Sequence, residues 1–144
     1  MKTKTSPYRR QLAQLARLEA AVPTSVPIND PSRTLAALLR VRSVLLVHLL
    51  LKKGLLYPWL LQHASGPICE KVCLHRDAMT GILEAFLRFC SDWSTEAAIA
   101  TNPQEFVQAW GTLRAVLFAQ LSAERNDLYD LADGYAERQL ALAS

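Results

Sequence analysis

Two segments of the sequence place polar or ionisable side chains four residues apart. His48 is followed by Lys52, and Gln120 is followed by Glu124. Residues four apart lie on the same face of a helix, so each segment directs two polar side chains the same way, inward from an otherwise apolar stripe. Imidazole and carboxylate groups are ligands that suit iron. The spacing therefore indicates an interior polar site, and the chemistry that such a site suggests is metal binding.

A Leu-Tyr pair closes both segments at the same distance. Tyr57 and Tyr129 each lie nine residues after the first polar residue of their segment, and Pro58 follows the first of them. With this His-to-Leu-Tyr-Pro element and its second copy, the sequence resembles the hemerythrin-like (HHE) family over roughly residues 7 to 133. The resemblance implies an all-α fold, an antiparallel up-down four-helix bundle, in which interior side chains ligate a pair of iron ions.

Most positions that ligate iron in that family hold other residues in this sequence. The resemblance leaves three residual metal candidates, His48, His75 and Glu124. The positions of the vacated site are Lys52 in place of a glutamate, Gln120 in place of a histidine, Gln11 in the first helix, Met79 four residues after His75, and the two tyrosines Tyr57 and Tyr129. One acid and two imidazoles are a thin set for two metals. We therefore expect no cofactor, with iron as the alternative.

Lys52 introduces a cation where the family has an anion. Glu124 lies at the corresponding position of the second segment. We predict that these two side chains pair inside the bundle and fill the vacated site with a salt bridge. Such a buried pair adds little net stability, but the loss of one partner leaves an uncompensated buried charge.

The histidines and cysteines also have simpler interpretations that involve no metal. For His48 and His75 we favour the simpler interpretation, amphipathic residues at the edge of the core, over a residual metal role. His63 is expected either to be solvated or to interact with the last carbonyls of its helix. Cys69 and Cys73 lie four residues apart, but a zinc site needs more ligands, so we interpret them as semi-buried thiols. No phosphate-binding loop, His-Glu-x-x-His motif or nucleophile set is present, so we do not expect an enzyme.

Four proline-containing starts divide the chain into four predicted helices. In each start, Ser, Asp, Gly or Asn precedes a proline, which is favoured at the first helical position because its missing N–H would have no partner there. The predicted helices are 7–22, 32–57, 67–93 and 103–133, with a short continuation after Pro58, one turn near Glu96 and a capping box from Asn102 to Glu105. Gly134 is a predicted stop, after which Tyr135–Ala143 either continues as helix or frays. Strand signals are nearly absent.

Length and composition favour a single globular domain spanning residues 1–144. The chain is 51% hydrophobic and 20% charged, which is globular rather than disordered composition. The basic residues are concentrated before residue 54 and the acidic residues after residue 91, so the two halves can attract each other within the fold or between subunits. The basic residues are scattered and no nucleic-acid-binding motif is present, so nucleic acid is not an expected partner.

Charged residues interrupt the most apolar stretch, Val44–Leu61, so we expect no membrane span. No apolar segment follows the basic N-terminus, and we expect a cytoplasmic protein. The leucines of the second predicted helix are too many to lie on a single face of that helix. We therefore expect a homodimer or another protein partner to cover the part that the fold leaves exposed.

Three functions remain open at this point. The first hypothesis is a non-enzymatic, metal-poor member of the hemerythrin-like family that serves as a regulatory or protein-interaction module. The alternative is a diiron sensor or carrier of oxygen or nitric oxide with an altered ligand set. A third is a sigma-factor-binding regulator, because residues 106–131 are loosely similar to those helical proteins.

Overall fold

The computed structural model describes residues 3–143, which form five continuous helices and no strand. The all-α class is therefore confirmed. The two longest helices each contain one wide π-helical turn. The elements are α1 (Ser6–Glu19), α2 (Pro31–Leu51), the turn π1 (Lys52–Leu56), α3 (Tyr57–His63), α4 (Pro67–Asp92), α5 (Glu96–Thr101), α6 (Pro103–Glu124), the turn π2 (Arg125–Tyr129) and α7 (Asp130–Ala143).

Side-chain caps occur at two of the helix starts. The Asp30 carboxylate accepts a hydrogen bond from the backbone N–H of Arg33 at 3.1 Å, as its position before Pro31 predicts. The capping box predicted at Asn102 is wrong, because its side chain makes no cap hydrogen bond. Asn102 also ends α5, and its backbone N–H donates to the carbonyl of Ala98.

The helix that contains Pro58 continues through it to His63, so the predicted continuation is confirmed. Within an α-helix, a proline ring collides with the carbonyl four residues earlier. Here the wide turn π1 ends at Leu56, two residues before Pro58, and the N–H of Tyr57 bonds to the carbonyl of Lys52, five residues back. A π-type turn changes the position of the preceding carbonyls. The helix thus passes Pro58 without ending.

The predicted stop at Gly134 is wrong and the alternative of a continuing helix is confirmed, since α7 runs through Gly134 to Ala143. Gly134 does not adopt the positive φ that would end a helix. Tertiary contacts hold this segment instead: the Asp133 carboxylate accepts hydrogen bonds from the backbone N–H and the hydroxyl of Thr5, at 2.9 and 2.8 Å. Arg9 adds an ion pair to Asp130 at 3.0 Å. The basic and acidic halves thus attract each other within the fold.

Two apolar clusters form the core. The first surrounds Trp110 and includes Leu49 and Leu121, and the second includes Leu56 and Leu128. Helix α1 packs on α2, α4 packs on α6, and α3 packs on α4. Along both long helices, the polar positions 52 and 124 fall between the two clusters. The fold therefore encloses these positions on both sides with apolar side chains.

The continuous helix Pro31–His63 is long and apolar enough to cross a membrane, with a mean hydropathy of 1.8 in its most apolar window. Of that window, 39% is buried inside the protein. A core helix meets the same criterion of length and composition, and the absence of a membrane span stays a prediction.

Candidate functional site

Lys52 and Glu124 form a salt bridge in the interior, and both side chains are fully buried. The predicted pairing is therefore confirmed. The Lys52 ammonium donates to Oε2 of Glu124, and the Tyr57 hydroxyl donates to Oε1 of the same carboxylate. Both carboxylate oxygens thus have a donor. A buried charge is tolerated when it is paired and hydrogen-bonded in this way.

Burial shifts the titration of the groups around this carboxylate. Removal from water lowers the pKa of Lys52, while the charge and hydrogen bond of Glu124 oppose that shift. Burial, followed by the charge of Glu124, raises the pKa of Tyr57. The hydroxyl of Tyr57 therefore remains a donor at neutral pH.

The two π-helical turns lie at matching places in the two repeated segments. The turn π1 begins at Lys52, and π2 begins directly after Glu124. The turn π1 thus includes Lys52 and ends just before Tyr57. By contrast, π2 starts just after Glu124 and includes Tyr129, so the two turns are offset by one residue between the segments. π-Helical turns are rare and occur mostly as single turns inside α-helices, often at functional sites. The repeat in sequence is therefore also a repeat in backbone geometry.

His48 is fully buried and is held by the first helix. Its Nδ1 lies 2.7 Å from Oε1 of Gln11, so the ring N–H donates to the amide oxygen. Burial and then the charge of Lys52 lower its pKa to about 2, which keeps the imidazole neutral. Tyr8 packs against it with ring centroids 5.9 Å apart. The other ring nitrogen, Nε2, is buried without a hydrogen-bond partner among residues 3–143.

His75 is bonded on both ring nitrogens. The amide nitrogen of Gln120 lies 2.8 Å from Nδ1, and Oδ2 of Asp127 lies 2.8 Å from Nε2. Gln120 therefore donates to Nδ1, while Nε2–H donates to the carboxylate. Sequence reasoning missed Asp127. Its spacing was the available signal, because it follows Glu124 by three residues and so lies on a neighbouring part of the same helical surface.

The other predicted site residues, Met79 and Tyr129, are both buried in the core. Met79 is buried in the apolar cluster around Trp110. The hydroxyl of Tyr129 is buried and, like His48 Nε2, has no hydrogen-bond partner in the part of the chain that the structure describes. Its ring lies 6.1 Å from that of Tyr8. Tyr8, which sequence reasoning also missed, thus contacts the rings of both His48 and Tyr129.

The remaining candidates lie apart from this interior. His63 Nδ1–H donates to the carbonyl of Trp59 at 2.8 Å, which lies before the last four carbonyls of α3, so the predicted interaction with the last carbonyls is wrong. The amide nitrogen of Gln139 donates to Nε2 of the same ring. Cys69 and Cys73 are free thiols, and the sulfur of Cys69 donates to the carbonyl of Ala64 at 3.3 Å.

The interior does not fit a metal ion. No group of three or more His, Cys, Asp or Glu side chains within residues 3–143 is arranged to hold one. Glu124 is engaged by Lys52 and Tyr57, and the ammonium of Lys52 would repel a cation. His48 and His75 are each bonded to a different glutamine. The side chains form three separate hydrogen-bonded sets rather than one ligand shell.

Comparison with known proteins adds no relative: no family model, curated protein or solved structure matches this chain. The resemblance to the hemerythrin-like family thus depends only on the two repeated segments of the sequence.

Proposed function

We propose that this protein is a metal-poor hemerythrin-like domain, an antiparallel four-helix bundle that acts without enzymatic activity as a cytoplasmic regulatory or protein-interaction module. The observation that carries the proposal is the buried Lys52–Glu124 pair. It lies at two equivalent positions of the repeated segments, where the resemblance implies metal-binding glutamates. A salt bridge supplies internally the positive charge that a metal would otherwise bring to Glu124.

The glutamines support the same proposal. Gln11 and Gln120 occupy positions where the resemblance implies histidine ligands, and each is bonded to one of the retained histidines, His48 and His75. An amide can donate or accept, so it can satisfy a buried imidazole without a metal. Each substituted position thus pairs with a retained one, as expected for an interior that is stable without a metal.

Exposed apolar residues on α2 support the interaction role. Leu39, Val47 and Leu50 have 44%, 52% and 64% of their surface accessible. Scattered single apolar residues are normal on a surface, but several on one helix indicate a contact surface. A homodimer or another protein partner would bury them.

Metal analysis of protein purified without chelators tests the central claim. We expect iron well below one ion per chain and no visible absorption band. Stoichiometric iron with a visible band would contradict the proposal and favour the diiron sensor or carrier of oxygen or nitric oxide. Loading with Fe²⁺ under anaerobic conditions, followed by desalting, controls for metal lost during purification.

A further inference from the structure

Helix α2 presents an apolar and basic surface to the outside. We define the α2 face as the exposed residues Leu39, Val47 and Leu50 together with the exposed arginines Arg40 and Arg42. The whole helix Pro31–His63 contains no acidic residue. Neither arginine forms an ion pair within residues 3–143, although other ion pairs are present there. This face therefore carries uncompensated positive charge around exposed apolar side chains.

An open groove lies between α4 and α6. We define the α4–α6 groove by its floor and wall residues Gly81, Ile82, Phe89, Ala109 and Leu113. Phe89 belongs to the first core cluster and Leu113 packs against it. The groove above them is open to solvent. Its floor is thus apolar and is supported rigidly by the first core cluster.

The charged residues of the groove are mainly acidic. Asp77, Asp92 and Glu105 line it together with a single base, Arg88, so three acids and one base leave a net charge of −2. Asp92 and Glu105 make no ion pair within the described residues. The groove therefore has the charge opposite to that of the α2 face, with an apolar surface at the centre of both.

Gly81 contributes no side chain to the wall of the groove. Glycine is unfavourable in a helix interior relative to alanine. A Cβ added at Gly81 would meet nothing within 4 Å, so no contact within the chain requires this glycine. The absence of a side chain leaves room for another backbone to approach α4 closely.

From this complementarity of charge and apolar surface, we propose that the α2 face of one copy of this chain docks in the α4–α6 groove of a second copy. The inference deepens the proposed interaction role and rests on it. The two surfaces differ, so the contact is heterologous and either closes into a ring or adds further copies. The interaction buries the exposed leucines and pairs Arg40 and Arg42 with Asp92 and Glu105.

Sedimentation velocity over a range of protein concentrations tests this contact. We expect the wild-type chain to self-associate. Two charge-reversed variants, R40E/R42E and D92R/E105R, should each sediment as monomers, because like charges then face each other. An equimolar mixture of the two should associate again, because the unchanged α2 face of D92R/E105R complements the unchanged groove of R40E/R42E, and the two reversed surfaces also complement each other. Circular dichroism confirms that each variant is folded.

A tryptophan at position 81 tests the groove without a change of charge. G81W should abolish association, because its side chain occupies the groove and is attached at a position where an added Cβ meets nothing within 4 Å. Gly111 provides the matched control: an added Cβ there also meets nothing within 4 Å, but this glycine does not line the groove. G111W should associate as the wild type does.

Three results of the association experiments would overturn the inference. They are a monomeric wild type at every concentration, association that survives G81W, and a mixture of charge-reversed variants that stays monomeric. Binding to anionic lipid vesicles that R40E/R42E abolishes and G81W does not affect would assign the α2 face to a lipid surface, and would overturn it too. A monomeric wild type leaves the metal-poor interior in place, whereas stoichiometric iron in the purified chain contradicts the metal-poor interior and neither the helical fold nor this contact.

Discussion

Tyr57 and Tyr129 occupy equivalent positions in the two repeated segments, yet only the hydroxyl of Tyr57 has a hydrogen-bond partner among the described residues. The difference follows from the residues opposite them. Tyr57 donates to the carboxylate of Glu124, whereas the position equivalent to 124 holds Lys52. An ammonium group has no acceptor lone pair. Tyr129 is thus left with a buried hydroxyl, and the lysine that forms the salt bridge also removes an acceptor.

This asymmetry predicts opposite results from two matched substitutions. Tyr57→Phe removes a hydrogen bond to a charged group and should lower the free energy of unfolding by about 1.5–3 kcal/mol. Tyr129→Phe removes a hydroxyl that is already unpartnered, and should be neutral or slightly stabilising. Urea denaturation of the two variants measures both. Equal destabilisation by the two changes would contradict the assigned bonding.

The salt bridge should be more sensitive to loss of the acid than to loss of the base. Glu124→Gln leaves the Lys52 ammonium buried without an anion and should cost roughly 3–5 kcal/mol. Lys52→Met should be tolerated better, because the methionine fills similar space and Glu124 keeps the bond from Tyr57. Chemical denaturation compares them, with the double variant as control. The double variant should be more stable than Glu124→Gln alone, and negligible, equal effects on unfolding would rule out the pair as described.

His48 should make stability depend on pH. Its pKa is about 2 in the folded chain against 6.5 for an ordinary histidine. Between these values the unfolded chain binds a proton that the folded chain does not, so stability is lost as pH falls below 6.5. Between about pH 7.5 and about pH 5.5 this residue should contribute a loss of about 1.4 kcal/mol. His48→Gln should reduce the measured loss by that amount, and an unchanged pH dependence would show that His48 is not buried as a neutral ring.

If the proposed function is correct, restoring the missing ligand types should restore metal binding. The double variant Lys52→Glu/Gln120→His removes the interior cation and adds a carboxylate and an imidazole to the groups already present. We expect it to retain Fe²⁺ or Zn²⁺ after desalting and to melt at a higher temperature with metal added. Lys52→Met, which removes the cation without adding a ligand, is the control and should gain neither. No metal retention by a folded double variant would count against the equivalence with metal-binding positions.

The helical class and most helix positions could be predicted because they depend on local signals. Prolines at helix starts, Asp30 as a cap and apolar residues at three- and four-residue spacing act within a few residues of the chain. The stop at Gly134 failed for the opposite reason. Its local signal was outweighed by the hydrogen bonds from Thr5 to Asp133, which join residues that lie 128 apart in the chain.

The sequence by itself determined the pairing of Lys52 with Glu124, because two equivalent positions with opposite charges have one economical arrangement in an apolar interior. Only the tertiary structure decided how the other polar groups are satisfied. Gln11 bonds to His48, Gln120 and Asp127 bond to His75, and Tyr129 bonds to no residue of the described chain. These hydrogen bonds depend on which side chains of neighbouring helices come into contact. The spacing of residues along a single helix carries no information about how two helices are positioned against each other.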